Sequence, residues 1–166
     1  MMLTVFLIGL VTSLAVLNVG QDDNDIARLE ARRFAALVSQ LQDESTLSGF
    51  PMGIEISENE NRYRFWQLED QWFLIDKIDV LREREVPDGV GLSVQILQRK
   101  NVADEEPEQD SESAEGNTKS KQPVNMVMVE PTGLIRPFIA SFRGGSQQFK
   151  VSLDNALNPI VSSEAL

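Results

Sequence analysis

An uncharged apolar run opens the chain. From Met1 to Leu17, MMLTVFLIGLVTSLAVL, no side chain is ionisable, and the first charge is Asp22. As an α-helix, residues 1–21 would rise about 1.5 Å each, roughly 31 Å in all, which matches the hydrocarbon thickness of a bilayer. The polar side chains inside the run are Thr4, Thr12, Ser13 and Asn18. The three hydroxyls can bond back to carbonyls of the preceding turn, so insertion leaves few polar groups unsatisfied in lipid. Residues 1–21 are therefore predicted to form a transmembrane helix. A cleaved secretory signal and a buried core helix are competing readings. The signal reading lacks a basic front, because no Lys or Arg precedes Arg28, and Leu17-Asn18-Val19-Gly20 lacks a small-residue cleavage site. A lipidated-cysteine anchor is excluded, since the chain has no cysteine.

Helical periodicity continues beyond the run. Ile26, Ala27, Ala31, Phe34, Ala35, Val38 and Leu41, with Leu37 beside them, fall on one face of a helix. Arg28, Glu30, Arg32, Arg33, Gln40 and Gln42 are assigned to the outer, polar face. Residues 22–49 thus read as an amphipathic helix that continues the first, with Phe34, Leu37, Val38 and Leu41 predicted to pack on a sheet. Gly20 and the Asp/Asn run predict a kink or fraying near Asn18–Asn24. Gly49, followed by Pro51, predicts a stop at about Ser48.

From Pro51 the period becomes two. Met52, Ile54 and Ile56 alternate with polar or small residues, Glu58 to Asn61 reads as a turn, and 62–68 and 71–76 read as strands, giving a three-strand meander. Tyr63 and Phe65 point to one face and Trp66 to the other, so both faces carry bulk. The stretch 79–85 is charged and ambiguous. Pro87-Asp88-Gly89 reads as a turn, and Leu92, Val94 and Ile96 as a strand. After position 123, strands are predicted around Val127 and Val129, around Phe138, Ala140 and Phe142, and around Phe149, Val151 and Leu153, with a short one at Ile160-Val161. Gly144-Gly145 is predicted to supply the two central residues of a hairpin turn, since both tolerate positive φ. One long helix followed by blocks of strands indicates an α+β fold with antiparallel sheets. The domain reading is a β-rich unit over 50–166.

Between the two strand blocks, residues 103–123 hold seven acidic side chains, two lysines and no large apolar side chain. Such a stretch cannot offset its ordering entropy by burial and reads as a disordered acidic loop. A calcium site is the alternative, but Gly116 does not stand in the register such a loop requires.

Composition narrows the function classes. The net charge of −11, from 26 acidic and 15 basic residues, repels nucleic-acid phosphates, so no nucleic-acid partner is expected. Arg62, Tyr63, Arg64, Phe65 and Trp66 interleave cations and rings as an RNA-binding sheet does, but rings at strand spacing usually face a core. With no histidine and no cysteine, the chain lacks the commonest general base and metal ligands. Its carboxylates lie in turns, in the acidic stretch and on the polar helix face, where solvated charges belong, so no catalytic residue, metal site or cofactor is predicted. Arg143-Gly144-Gly145-Ser146 is not a phosphate loop, because no helix follows it. What remains is a physical role, in which apolar rods bundle through their helices and display the β-domains outside.

Several stretches together resemble the minor pseudopilins of the bacterial type II secretion system, of the general secretion pathway protein H type. They are the opening helix, Glu44-Ser45-Thr46-Leu47-Ser48-Gly49-Phe50-Pro51-Met52-Gly53-Ile54 at its exit, and Phe65-Trp66-Gln67 with Trp72. Val129-Glu130-Pro131-Thr132-Gly133-Leu134-Ile135-Arg136-Pro137-Phe138 and Phe149-Lys150-Val151-Ser152-Leu153-Asp154 complete the likeness, and the Glu-Pro-x-Gly-x-x-x-Pro-Phe stretch narrows it to that type. The resemblance implies a pilin-like fold, a long helix on two antiparallel sheets. It also implies a non-enzymatic subunit near the tip of the periplasmic pseudopilus that drives folded proteins across the outer membrane. Implied partners are other minor pseudopilins, the major pseudopilin, the inner membrane and, as an open question, the secreted substrate. Phe6, Leu7, Leu10, Val11 and Leu14 are the expected helix–helix assembly residues.

The chain departs from the family pattern at its start. The leader glycine, the N-methylated residue and the assembly glutamate have no position in it, and the resemblance implies them upstream of Met1. The Lys/Arg distribution also conflicts with a periplasmic domain, since Arg28, Arg32 and Arg33 follow the span and would hold the downstream side in the cytoplasm. A basic leader upstream would remove that conflict. Rival readings are a minor pilin of a type IV pilus or competence system, a membrane-tethered ligand-binding domain, and a hydrolase.

Overall fold

The computed structural model describes residues 2–76, 78–97, 126–153 and 158–165, with helix side chains from Asp23 onward. The predicted acidic loop 103–123 and the side chains of Phe6, Leu7, Leu10, Val11 and Leu14 therefore lie outside the described residues.

Helix α1 spans Met2–Ser48, 47 residues, and its hydrogen-bonded course is continuous through 18–24, where the Asp/Asn run and Gly20 predict fraying. It ends as expected: Gly49 takes a φ of 74° and donates its N–H to the Ser45 carbonyl at 3.0 Å. The buried Ser45 hydroxyl then donates to the Phe50 carbonyl at 2.8 Å, which fixes the exit toward Pro51.

Among the described residues nine strands follow: β1 (Met52–Ser57), β2 (Arg62–Leu68), β3 (Trp72–Leu74), β4 (Arg84–Glu85), β5 (Val90–Ile96), β6 (Met126–Val129), β7 (Phe138–Gly144), β8 (Gln147–Leu153) and β9 (Pro159–Ala165). The first sheet runs β3-β2-β1-β6, with β4 also pairing β2, and the second runs β5-β7-β8-β9. All pairings are antiparallel. This is an α+β fold with a β1-β2-β3 meander, as the change of period at Pro51 indicates. The charged stretch 79–85 contributes the short β4, and the last strand is longer than Ile160-Val161. The register puts Met52, Ile54, Ile56, Tyr63, Phe65, Val127 and Val129 on the inner face of the first sheet.

The helix closes the core between the sheets. Phe34, Val38 and Leu41 are fully buried, and Leu37 is 4% exposed. Phe34 stands at the junction, its ring 5.1 Å from Tyr63 in the first sheet and 5.5 Å from Phe142 in the second. Leu29, by contrast, is 61% exposed on the outer side of the helix.

Two expectations are corrected. Glu30, assigned to the polar face, is 2% exposed: three residues after Ala27 and four before Phe34 it stands on the buried face, where the Tyr63 hydroxyl donates to its carboxylate at 2.8 Å and Arg33 pairs with it at 2.8 Å. A buried carboxylate is tolerated only with such partners. The hairpin turn is Gly145-Ser146 rather than Gly144-Gly145: Gly144 is the last residue of β7, paired with Gln147, and only Gly145 has positive φ, at 55°. Gly144 is required for another reason. A Cβ there would stand 2.2 Å from the Asp23 carbonyl oxygen and 2.8 Å from the Ala27 Cβ, so the helix crosses against bare backbone.

Candidate assembly surfaces

Contacts between helix α1 and the two sheets fix how the helix lies on the β-domain. The joint between them is built at Asp23–Ala31. Asn24 Oδ1 accepts the backbone N–H groups of both Ser146 and Gln147 at 3.1 Å, clasping the β7–β8 hairpin. Fully buried Ala27 and Ala31 bring the helix down onto the second sheet. Three residues beyond Ala27, the Glu30–Tyr63 bond ties the same helix to the first sheet, so both sheets are held to one rod. Burial, followed by the neighbouring Glu30 carboxylate and its hydrogen bond, pushes the Tyr63 phenol well above its ordinary range. The spacing of Glu30 from Ala27, Phe34 and Leu41 signalled the buried face, but nothing local signalled its partner, 33 residues away.

The outer face of the first sheet divides into two halves. One half is a charge network: Arg62 and Arg64 both reach Glu83 Oε1, at 2.8 and 3.1 Å, and both pair with Glu60 at 3.2 Å. Hydrogen bonds from the two guanidinium groups hold the Glu83 carboxyl below its usual range. In the other half, Trp66 donates its indole N–H to Glu55 at 2.9 Å, and Met126 lies over Gly53, where a Cβ would meet its sulfur at 2.4 Å. Of the three rings of the interleaved stretch, Tyr63 and Phe65 are fully buried and Trp66 is not. Strand alternation therefore turns Tyr63 and Phe65 inward and leaves Trp66 outside beside arginines that are paired with carboxylates.

Open grooves lie at the rims of the sheets. One of about 610 Å³ is lined by Ile96, Leu97, Met128, Leu134, Ile135 and Pro137, among others. A second of about 460 Å³ lies beside β3, and a polar one of about 420 Å³ lies where Gln42 donates to the Gly133 carbonyl at 3.0 Å. Among the described residues no three acidic side chains cluster as metal ligands, and no helix is long and apolar enough to cross a membrane.

One helix laid across two antiparallel sheets is a pilin-like fold. The fold is that of a minor pseudopilin. The chain is similar to a solved structure of the minor pseudopilin EpsH from the Type 2 Secretion System of Vibrio cholerae, with a TM-score of 0.59 and 19% identity over 84% of this chain and 96% of that one. A second structure of that pseudopilin gives the same TM-score at 20% identity, covering 85% of this chain and 97% of the other. At these identities the likeness is one of fold. No family model matches the chain, and no curated protein matches it in sequence.

Proposed function

We propose that this chain is a structural minor pseudopilin of a type II secretion system, anchored in the inner membrane with its β-domain in the periplasm. In this reading it assembles with other minor pseudopilins and the major one near the tip of the pseudopilus and catalyses no reaction. The observation that carries the proposal is the fold: this chain aligns with a minor pseudopilin over 84% of its own length and 96% of that chain, with a TM-score of 0.59. The apolar sequence of residues 1–17 supports bundling of that part of the helix with similar helices, since small and apolar surfaces pack closely in lipid.

Cysteine crosslinking in cells with a working secretion system tests it. The chain has no cysteine of its own, so single cysteines at Leu7, Val11 or Leu14 report cleanly. Adducts to the corresponding helices of other pseudopilins are expected. Their absence while secretion proceeds would overturn the reading.

A further inference from the structure

The four sheet edges are not treated alike. The outer edge of β5 is closed by side chains from the β1–β2 turn: Leu92 N–H donates to Asn61 Oδ1 at 2.9 Å, Val94 N–H to Glu58 Oε1 at 2.7 Å, and Asn61 Nδ2 donates to the Val90 carbonyl at 2.8 Å. The β6 edge is covered by the returning chain, where Arg136 N–H donates to the Met128 carbonyl at 3.0 Å and Val129 bridges Ile135. The β9 edge opens with Pro159, which has no N–H, and continues through Ser162, Ser163 and Glu164.

β3 has no such protection. Ile75 N–H donates to the Phe65 carbonyl at 2.9 Å, and antiparallel bonding alternates, so Phe73 bonds to β2 while the N–H and C=O of Trp72 and Leu74 face away from it. Among the described residues nothing accepts or donates to those outward groups. The strand is Trp-Phe-Leu, free of the Lys, Pro or bulge that normally blunts an edge. Phe73, on the inner face with Phe65, is 45% exposed, and Leu74 is 40% exposed. Beside them lies the groove of about 460 Å³, lined by Gln67, Glu69, Phe73, Leu74, Asp76 and Ile78 among others. The core ends there one strand early. Acidic residues flank the strand on both sides, Glu69 and Asp70 before it and Asp76 and Asp79 after it, against the single Lys77 of that stretch.

We infer that the β3 edge is a strand-addition site for an extended segment of a second protein, apolar at alternate positions and basic at both ends. Its backbone pairs with Trp72 and Leu74, its inward side chains enter the groove over Phe73, and its cationic ends meet the carboxylates at either end of β3. The site belongs to the domain and not to the helix. Failure of the helix crosslinks would leave it standing, and its own failure would leave the helix bundle standing.

The test uses the full chain in a non-ionic detergent and a synthetic peptide of alternating valine and threonine with two lysines at each end. Amide exchange followed by NMR should show the Trp72 and Leu74 N–H groups at least about tenfold more protected with peptide bound. The Phe73 N–H, already bonded, should change little. Leu74→Pro removes an outward donor together with the leucine side chain and keeps the β2 ladder, which the unchanged Phe73 amide verifies, and it should weaken binding about tenfold or more, well beyond the effect of Leu74→Ala, which keeps the donor. The pair Glu69→Lys with Asp76→Lys should weaken it to a similar degree, and added salt should mimic that loss. The inference is overturned by no binding at about 1 mM peptide. Equal binding by Leu74→Pro, or protection arising at β9 instead of β3, would overturn it as well.

Discussion

Replacing Tyr63 by Phe removes one oxygen and should expose how the helix is held to the first sheet. The Tyr63 ring is fully buried, so a phenylalanine keeps its packing against Phe34 and Phe65. What is lost is the 2.8 Å bond to Glu30, whose carboxylate is then left with Arg33 alone in a site 2% exposed. Hydrogen bonds to charged groups contribute about 1.5–3 kcal/mol, so Tyr63→Phe should cost about 2 kcal/mol.

The same bond has a signature in alkali. The phenol's folded pKa lies above its unfolded value of 10.0, so its contribution to stability is complete below pH 10 and is lost as pH rises further. Above pH 10 the unfolded state binds fewer protons than the folded one, and stability should fall by up to about 1.4 kcal/mol per pH unit. Tyr63→Phe should lack that component. Tyr63 is the chain's single tyrosine, so phenolate absorbance reports this group alone. In the parent it should rise together with unfolding and not in a separate titration. Denaturant unfolding at neutral and alkaline pH measures both effects. Combining Tyr63→Phe with Glu30→Met should recover much of the loss, because removing both partners leaves no buried carboxylate unmet. A Tyr63→Phe variant within about 0.5 kcal/mol of the parent, with the same alkaline decline, would refute the reasoning, as would phenolate forming freely near pH 10 in the folded protein.

Two further outcomes follow from other contacts. Gly144→Ala places a methyl 2.2 Å from the Asp23 carbonyl, so the helix must shift off the hairpin and the Asn24 clasp must loosen. A loss of about 1–3 kcal/mol with faster exchange at the Ser146 and Gln147 amides is expected, and an unchanged melt with unchanged exchange would show that the crossing is not tight. Glu83 has a folded pKa below its ordinary 4.5, so its contribution is present above that value and disappears as pH falls through the folded pKa. Glu83→Gln should therefore flatten the acid side of the stability profile while leaving the alkaline side as it was, which parallel melts across pH would show.

Much of the candidate surface was hidden by locality. Glu30 stands three residues after Ala27 and four before Phe34, on the apolar face of the helix, and only its charge argued for the outside; the tyrosine that accommodates it there is 33 residues away. Gly144-Gly145 reads as a turn because two adjacent glycines favour one, yet the first glycine is there for the helix that crosses it. The partners that close β5, Glu58 and Asn61, are 36 and 29 residues or more from the groups they bond, so no short-range pattern connects them. The bare edge at β3 is legible only once the strand order is known and β5 and β6 are seen to be covered.

The sequence by itself determined the elements whose cause is local. The uncharged run sets the character of the first part of the helix, Gly49 and Pro51 set its end, and the shift from a period of 3.6 to one of two at Pro51 sets where strands begin. Tertiary structure alone decided which strands became neighbours, which edge stayed open, and which face of the helix admitted a carboxylate. Each of those depends on groups far apart in the chain, whose meeting is settled by the free energy of packing the whole core and not by the preference of any single stretch.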